Sequence, residues 1–319
     1  MAAPVPQIMK QGRVIPWFYL APALIVMSFF IVYPFFNTIY LSFMDRNGQL
    51  PASTTCRANQ PCWGMFENYR HTLLDEINLT SPGAAWRTFW TSSFGNMIKW
   101  IALMVSGTVI MGLTFAVLAE RVRYEALAKA IIFLPMAISF VGAGVIWRFV
   151  YNYNTGGAQI GLLNAISTAL GMQPIAWLQT IPINTVMLII VGIWMWSGFC
   201  MTILAAALRN VPEEIIEAAR VDGANEFQVF FQIMVPIILP TITVVITTMV
   251  INTLKLFDIV YVMTGGNFGT DVIAVRMYRE MYINYNTGVG TAVSVVLILL
   301  ITPFIFLNIR RFLAQEATR

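Results

Sequence analysis

Long stretches without a single Asp, Glu, Lys or Arg are the feature that most limits how this chain can fold. The longest, 149–208, covers 60 residues, and 14–44 covers 31. A helix rises 1.5 Å per residue, so about 20 apolar residues are needed to cross the hydrocarbon core of a bilayer. Apolar stretches of this length predict spans near 16–43, 95–118, 129–150, 183–207, 236–257 and 289–309.

The composition excludes an ordinary water-soluble domain. Hydrophobic residues make up 58% of the chain and charged residues 11%, whereas soluble domains carry about 25% charged residues. Only helices and closed barrels satisfy their own backbone hydrogen bonds in lipid. Because the sequence contains no row of short alternating strands, it predicts an all-α membrane protein with about six transmembrane helices. The first apolar run is longer than the roughly 7–15 residues of a signal peptide, so a retained helix is expected there.

The distribution of Lys and Arg predicts which loops face the cytoplasm, because short cytoplasmic loops carry an excess of positive charge. Ten of these residues fall within about 65 residues near 1–15, 119–129, 208–235 and 309–319. Eight fall within about 116 residues near 45–93, 148–180 and 255–288. Both termini are therefore predicted to be cytoplasmic, and the net charge of +4 gives no reason to invoke nucleic acid. The predicted parts are a cytoplasmic N-terminal segment 1–15, a membrane domain 16–312 and a cytoplasmic tail 313–319.

The insert 45–93, predicted to be extracytoplasmic, contains two of the three cysteines. Cys56 and Cys62 could form a local disulfide in an oxidising periplasm, or they could be two free thiols. Cys200 falls within the fourth span, where a small packing residue is expected. No metal site is expected, because two cysteines and the distant His71 supply too few ligands for zinc. The stretch 66–69 predicts a short helix within the insert.

One polar segment, 208–235, has the features of a helix rather than a loop. Asn210 is predicted to be its N-cap, and Pro212 stands where proline is tolerated at a helix start. Glu213 and Glu214 would complement the positive end of the helix dipole.

The segment is predicted to bend. The helix should run to about Val221, and Gly223 ends it because glycine adopts the left-handed conformation without steric cost. A second short helix is predicted over about 225–234, and Pro236 opens the fifth span. The expected result is two short helices at an angle along the inner membrane face.

Small side chains on the first of these helices would permit close contact with another protein. Ala218 and Ala219 present almost no side chain, so a partner could approach their backbone. Glu217 and Arg220 would flank that contact as charged groups. The alternative interpretation is a solvated amphipathic loop helix.

These residues resemble the EAA loop of binding-protein-dependent ABC permeases. The motif reads Glu-Ala-Ala at 217–219, three residues, Gly223, nine residues, and Ile-Met-Val-Pro at 233–236. Val235 stands where the family usually has leucine, which is a conservative departure.

A wider resemblance points to the carbohydrate-uptake permeases of the maltose-transporter type. It is carried by Glu-Ala-Ala-Arg-Val-Asp-Gly-Ala at 217–224 and by Phe-Asp-Ile-Val-Tyr-Val-Met-Thr-Gly-Gly at 257–266. The stretches 16–23 and 133–135 are also similar, and the resemblance covers about 14–312.

The resemblance implies an ABC importer type I (maltose-type) permease fold in a bacterial inner membrane. It implies four kinds of partner: a second homologous permease subunit, expected to form a heterodimer, two ATP-binding subunits, an extracytoplasmic solute-binding protein and membrane lipid. The substrate implied is a sugar or glucoside, such as an α-glucoside, a disaccharide, trehalose or a glucosylglycerol-like solute.

The resemblance also implies a division of labour between subunits. Carried over to this chain, the coupling helix docks on the ATPase subunit through Glu217, Ala218, Ala219 and Gly223. The sequence contains no Gly-x-x-x-x-Gly-Lys-Ser/Thr loop to cradle ATP phosphates. The chain is therefore expected to catalyse nothing and to bind no cofactor, with ATP and Mg held by the partner ATPase.

Polar and aromatic side chains inside a helix bundle are candidates for a sugar pathway, because buried polar groups are costly unless satisfied. In maltose-type permeases the pocket is lined from spans four and five. The resemblance carries this over to Trp194, Ser197, Gly198, Met201, Asn252, Thr253, Leu256, Phe257 and Asp258. The competing interpretation is structural, because Trp and Phe also pack against lipid or neighbouring helices and Ser or Thr bonds its own backbone.

Other transporter classes fit the sequence less well. A secondary transporter would be expected to show inverted repeats, interrupted helices or several ionisable residues in mid-span. An ABC importer permease for a non-sugar solute, such as an amino acid or an ion, is the nearest alternative. Only the signatures at 217–224 and 257–266 disfavour it.

Overall fold

The computed structural model describes residues 15–51, 65–74 and 82–317 of the chain. Within these ranges the regular structure is helical, with one isolated antiparallel bridge between Met44 and Pro51. The all-α fold is therefore confirmed. Cys56 and Cys62 lie outside the described residues, so their pairing stays a prediction, as do the domain boundaries.

In chain order the helices are α1 (Trp17–Ser42), α2 (Glu67–Leu74), α3 (Pro82–Thr91), α4 (Ser93–Glu120), α5 (Glu125–Ala137), α6 (Phe140–Val150), α7 (Leu162–Ala169), α8 (Ile183–Arg209), α9 (Glu213–Val221), α10 (Glu226–Leu254), α11 (Asp258–Thr264), α12 (Ile273–Tyr278) and α13 (Thr287–Ala317). Five of the described helices, α1, α4, α8, α10 and α13, are long and apolar enough to cross a membrane. Helices α5 and α6 together provide a sixth candidate crossing.

The third predicted span, 129–150, is not one straight helix. Helices α5 and α6 meet at an angle of 96°. Pro135 has no backbone N–H to continue the α-helical pattern, and it stands in a tight 3₁₀ turn that ends at Ala137. Ser139 is extended, and its Oγ accepts a hydrogen bond from the Gly142 N–H at 3.0 Å, so it caps a new helix.

Helix α8 lies at the centre of the fold and packs along α4. Its side chains Leu188, Met201 and Leu204 are completely buried. Cys200 is also completely buried, and its Cβ faces Gly112 of α4, so it is a packing residue as expected.

The described part of the insert packs against the ends of the membrane helices. Helix α2 confirms the short helix predicted at 66–69. The buried Asn68 side chain donates hydrogen bonds to the carbonyls of Ser42 and Met44, at 3.0 and 2.8 Å. The Arg276 guanidinium, also buried, donates to the Thr72 carbonyl at 2.6 Å. The insert is thereby joined to α1 and α12.

The uncharged loop between α6 and α8 is organised by one buried amide, Asn164 of α7. Its Nδ2 donates to the carbonyls of Asn152 and Ile175, both at 2.9 Å. Its Oδ1 accepts from the Ile175 N–H at 2.9 Å and from the Trp177 indole N–H at 3.0 Å. One side chain therefore fixes both ends of the loop.

We predict that Asn164→Ala loosens this loop without unfolding the membrane helices. The substitution leaves part-buried groups of Asn152, Ile175 and Trp177 without their partner, and each lost hydrogen bond costs about 0.5–1.5 kcal/mol. Hydrogen–deuterium exchange over 152–178 should rise by about tenfold or more, because local opening becomes easier. Exchange in the centre of α8 should not change.

Thr168→Ala is the matched control, because among the described residues the Thr168 hydroxyl bonds only the carbonyl of Asn164, within α7. Wild-type protection over 152–178 in Asn164→Ala would show that this amide does not organise the loop.

Candidate functional site

The segment 208–235 begins differently from its prediction. Asn210 is not the N-cap of α9, because its N–H bonds the Ala207 carbonyl at 3.2 Å and the residue caps the C-terminus of α8. Pro212, in an extended conformation, precedes the first helical residue and provides no side-chain cap. Glu213 and Glu214 stand in the first turn of α9, as predicted.

The predicted docking residues divide between two faces of α9. Glu217 and Ala218 are exposed, whereas Ala219 is buried and faces the rest of the chain. Helix α9 packs on the first turns of α10, around Val229–Met234. Glu217 and Ala218 are therefore accessible to a partner, and their role in docking stays a prediction.

Gly223 ends α9 in the left-handed conformation, with φ of +85°. The Gly223 N–H bonds the Arg220 carbonyl at 3.1 Å, and the Ala224 N–H bonds the Ala219 carbonyl at 3.0 Å. No heavy atom of the described chain lies within 4 Å of a Cβ built at Gly223. The turn therefore has open space beside it.

The second short helix predicted at 225–234 is instead the start of α10, which continues without a break to Leu254. Asn225 forms a capping box with Gln228, each side chain accepting the other's backbone N–H at 2.9 Å. A wide π-helical turn, Val229–Met234, precedes Pro236. This turn accommodates a proline that cannot donate a backbone hydrogen bond, so the helix continues through it.

Ion pairs join α9 and α10 to α4. Arg220 Nε lies 2.9 Å from Glu226 Oε1, and Arg121 lies 3.8 Å from the other oxygen of Glu226. The hydrogen bond to Glu226 raises the pKa of the Arg220 guanidinium above its ordinary value. Arg220, predicted as a charged flank of the docking surface, thus turns back towards its own chain.

A second set of ion pairs lies at the same end of the helices. Arg209, the last residue of α8, pairs with Glu120 at 3.2 Å and with Glu125, which also pairs with Lys129. The ends of α4, α5 and α8 are therefore connected. Sequence reasoning missed the Arg209–Glu120 pair because the two residues are 89 positions apart.

The structure buries several predicted pathway residues within the chain. Met201 and Thr253 have no exposed surface, Ser197 is 4% exposed and Leu256 7%. The Thr253 hydroxyl donates to the Met249 carbonyl at 2.7 Å, as the structural interpretation expects. A Cβ at Gly198 would lie 2.6 Å from the Ile132 carbonyl oxygen, which marks a close crossing with α5.

The remaining pathway residues keep accessible surface, and their roles stay predictions. Trp194 packs edge-on against Trp147, with ring centroids 5.5 Å apart. Asn252 is half-buried near the end of α10. Phe257 and Asp258 stand where α10 has ended and α11 begins.

The described residues contain no group of three or more His, Cys, Asp or Glu side chains that could hold a metal ion. At the end of the helices where α9 lies, the candidate site consists of the exposed surface of α9 and the ion pairs around it.

Comparisons with known proteins agree with this architecture. A family model described as "Binding-protein-dependent transport system inner membrane component" matches residues 109–316, which include α9 and α10. The chain is 47% identical over 302 residues to the osmoprotective compounds uptake permease protein GgtC of Synechocystis sp., covering 94% of this chain and 100% of that protein. It is 42% identical over 298 residues to the alpha-glucoside transport system permease protein AglF of Rhizobium meliloti, covering 92% and 81%.

A solved structure shows the same fold. One chain of a bacterial alginate ABC transporter, crystallised with an alginate pentasaccharide-bound periplasmic protein, superposes with a TM-score of 0.67 at 20% identity over 92% of both chains. The permease fold implied by the sequence resemblance is therefore confirmed. Together with the family match, this shows that the chain belongs to the binding-protein-dependent transport system inner membrane components.

Proposed function

We propose that this chain is a permease subunit that carries a glucoside or a related small sugar across a bacterial inner membrane, driven by ATP hydrolysis on a partner. Both of its termini lie in the cytoplasm. The single observation that carries the proposal is the surface of α9: Glu217 and Ala218 are exposed and Gly223 has open space beside it. These features leave room for another protein at α9, which lies on the side where the loops have the higher density of Lys and Arg.

The substrate class is inferred from the relatives. The two proteins compared above are named for the uptake of osmoprotective compounds and of α-glucosides, at 47% and 42% identity. A small glucoside satisfies both descriptions. The proposed assembly contains a second homologous permease subunit, two ATP-binding subunits and an extracytoplasmic binding protein.

The contacts of α9 explain how movement of a partner would reach the membrane helices. Helix α9 follows α8 after three residues, 210–212, and precedes α10 after 222–225. Helix α9 also packs on the first turns of α10, around Val229–Met234, and the exposed Arg220–Glu226 and Arg121–Glu226 pairs add weakly to these contacts. A displacement of α9 by the closing ATPase subunits would therefore shift several membrane helices together.

Reconstitution of the complete complex tests this proposal. The permease, its partner permease, the ATP-binding subunits and the binding protein are placed in proteoliposomes with ATP on the side of the ATPase. Radiolabelled trehalose and maltose should accumulate only with ATP and the binding protein. Accumulation of an amino acid or an ion instead of a sugar, or sugar uptake without ATP, would overturn the proposal.

A further inference from the structure

A large cavity lies at the end of the helices opposite α9. Its volume is about 730 Å³, within the range of about 300–1,000 Å³ that is typical of small-molecule sites. It opens between the end of α6, the residues just before α8 and the segment around α11. Helix α8 has 27 residues, so about 40 Å separates this cavity from α9. We call it the outer cavity.

The walls of the outer cavity combine aromatic rings with uncommitted amides. Trp177 and Tyr261 contribute rings, and Asn152 and Gln179 contribute amides. Among the described residues, neither the Asn152 nor the Gln179 side chain has a hydrogen-bond partner. Asn164 holds Trp177 and the backbone of Asn152 in place. The cavity is therefore a pre-formed site with free donors and acceptors.

Two arginines line the cavity, and one of them is paired with a carboxylate. Arg279 pairs with Asp271 at 2.8 Å and donates to the Gly265 carbonyl at 3.0 Å. Arg148 stands in the last turn of α6, where the negative end of the helix dipole favours a cation. No Asp or Glu in the described ranges lines the cavity. A neutral ligand fits this wall better than a cation, because no carboxylate lines the described cavity. An anion could pair with Arg148, since Arg279 is already paired with Asp271.

Aromatic rings extend from the outer cavity towards the predicted pathway. Tyr261 stacks on Phe257, with ring centroids 4.9 Å apart and planes at 17°. Tyr278 packs against both rings, at 5.1 and 5.3 Å, and Tyr282 follows Tyr278 at 5.1 Å. The four rings are therefore in mutual contact and form one aromatic cluster, of which Tyr261 lines the outer cavity. The C–H face of a sugar ring can stack on an exposed face of such a ring.

We propose that the outer cavity is a binding site for an uncharged glycoside, which the rings of Tyr261 and Phe257 then guide to the pathway at the end of α10. The glycoside stacks on Tyr261, and the Asn152 and Gln179 amides bind its hydroxyl groups. This inference rests on the proposed function and places substrate recognition at the permease's own outer face.

Protection of a cysteine in the cavity tests this site directly. Gln179→Cys is introduced into the complete complex after Cys56, Cys62 and Cys200 are replaced by serine. The rate of labelling by a membrane-impermeant maleimide is measured with and without trehalose. A ligand that occupies the site slows labelling by the factor 1 + [L]/Kd, about tenfold when trehalose is at ten times its Kd.

Three variants make the test specific. Gln173→Cys is the matched control, because Gln173 is exposed in the same loop and does not line the cavity. Adding Tyr261→Ala to Gln179→Cys should raise the half-protecting trehalose concentration by about five- to tenfold, through loss of the stacking surface. Adding Tyr40→Ala, an exposed tyrosine of α1, should not change it.

The outcomes separate this inference from the proposed function. Trehalose protection of Gln179→Cys but not of Gln173→Cys, weakened by Tyr261→Ala, supports the site. Absence of protection in a complex that imports trehalose, or equal protection by glycerol, overturns the site and leaves the function standing. A complex that imports no sugar overturns the proposed function itself.

Discussion

Ala218→Arg is expected to abolish sugar uptake while leaving the permease folded in its membrane. Ala218 is exposed on α9, so an arginine there can extend into solvent without disturbing the fold of the chain. In the assembled transporter the same side chain would be forced into a close contact as an unpaired charge. Burying such a charge costs about 3–5 kcal/mol, which weakens docking by about 100-fold or more. Uptake of trehalose and binding-protein-stimulated ATP hydrolysis are measured in proteoliposomes.

The control for this prediction is Ala126→Arg. Ala126 is an exposed alanine in the first turn of α5, at the same end of the helices. Uptake by this variant should stay near that of wild type. Normal stimulated ATP hydrolysis and uptake in Ala218→Arg would mean that α9 docks nothing.

Gly198→Leu is expected to destabilise the folded permease rather than to change its affinity for sugar. A Cβ at this position would lie 2.6 Å from the carbonyl oxygen of Ile132 and 2.8 Å from the Cα of Phe133. Both are backbone atoms of α5, so relief requires the helices to separate. Overpacking of this kind costs about 1–3 kcal/mol or more, and Tm should fall by about 5–10 °C. Thermal unfolding in detergent measures the change.

Gly156→Leu provides the matched control, because no atom of the described chain lies within 4 Å of a Cβ built there. Its Tm should be close to that of wild type. If Gly198→Leu were as stable as wild type and its KM for sugar were altered, Gly198 would line the pathway instead of a helix crossing.

The membrane helices could be predicted from the sequence because their cause is local. A charge-free run such as 183–207 has no stable alternative to a buried or lipid-facing helix, and the structure places α8 there. The left-handed turn at Gly223 was predictable for the same reason, since glycine favours that backbone conformation. The membrane helices and this turn both depend on residues that are close together in the sequence.

Some features that sequence reasoning missed have local signals in the sequence, whereas others depend on tertiary contacts. Pro135 and Ser139 are local signals of the break between α5 and α6. A single span was nevertheless predicted there, because the apolar run continues across both residues. Pro236 suggested a helix start, whereas the preceding wide turn lets α10 continue. The Arg209–Glu120 pair joins distant positions that no local pattern connects.

The candidate pathway shows the same limit. Helix α10 is apolar around most of its circumference, so the sequence did not reveal which way Thr253 faces. Its complete burial against Met104 of α4 appears only in the folded chain. The outer cavity was missed because it combines residues near 150, 178 and 262, which are distant in sequence.

Oxidative crosslinking of position 218 tests the central claim most directly. Ala218→Cys, in a permease whose native cysteines are serine, is combined with single cysteines along the cleft of the ATP-binding subunit. We expect a disulfide between the two subunits in membranes, and none with Ala126→Cys. Two results together would contradict the account. Ala218→Cys would form no crosslink with any of the cleft positions, and an impermeant maleimide added outside intact cells would label it.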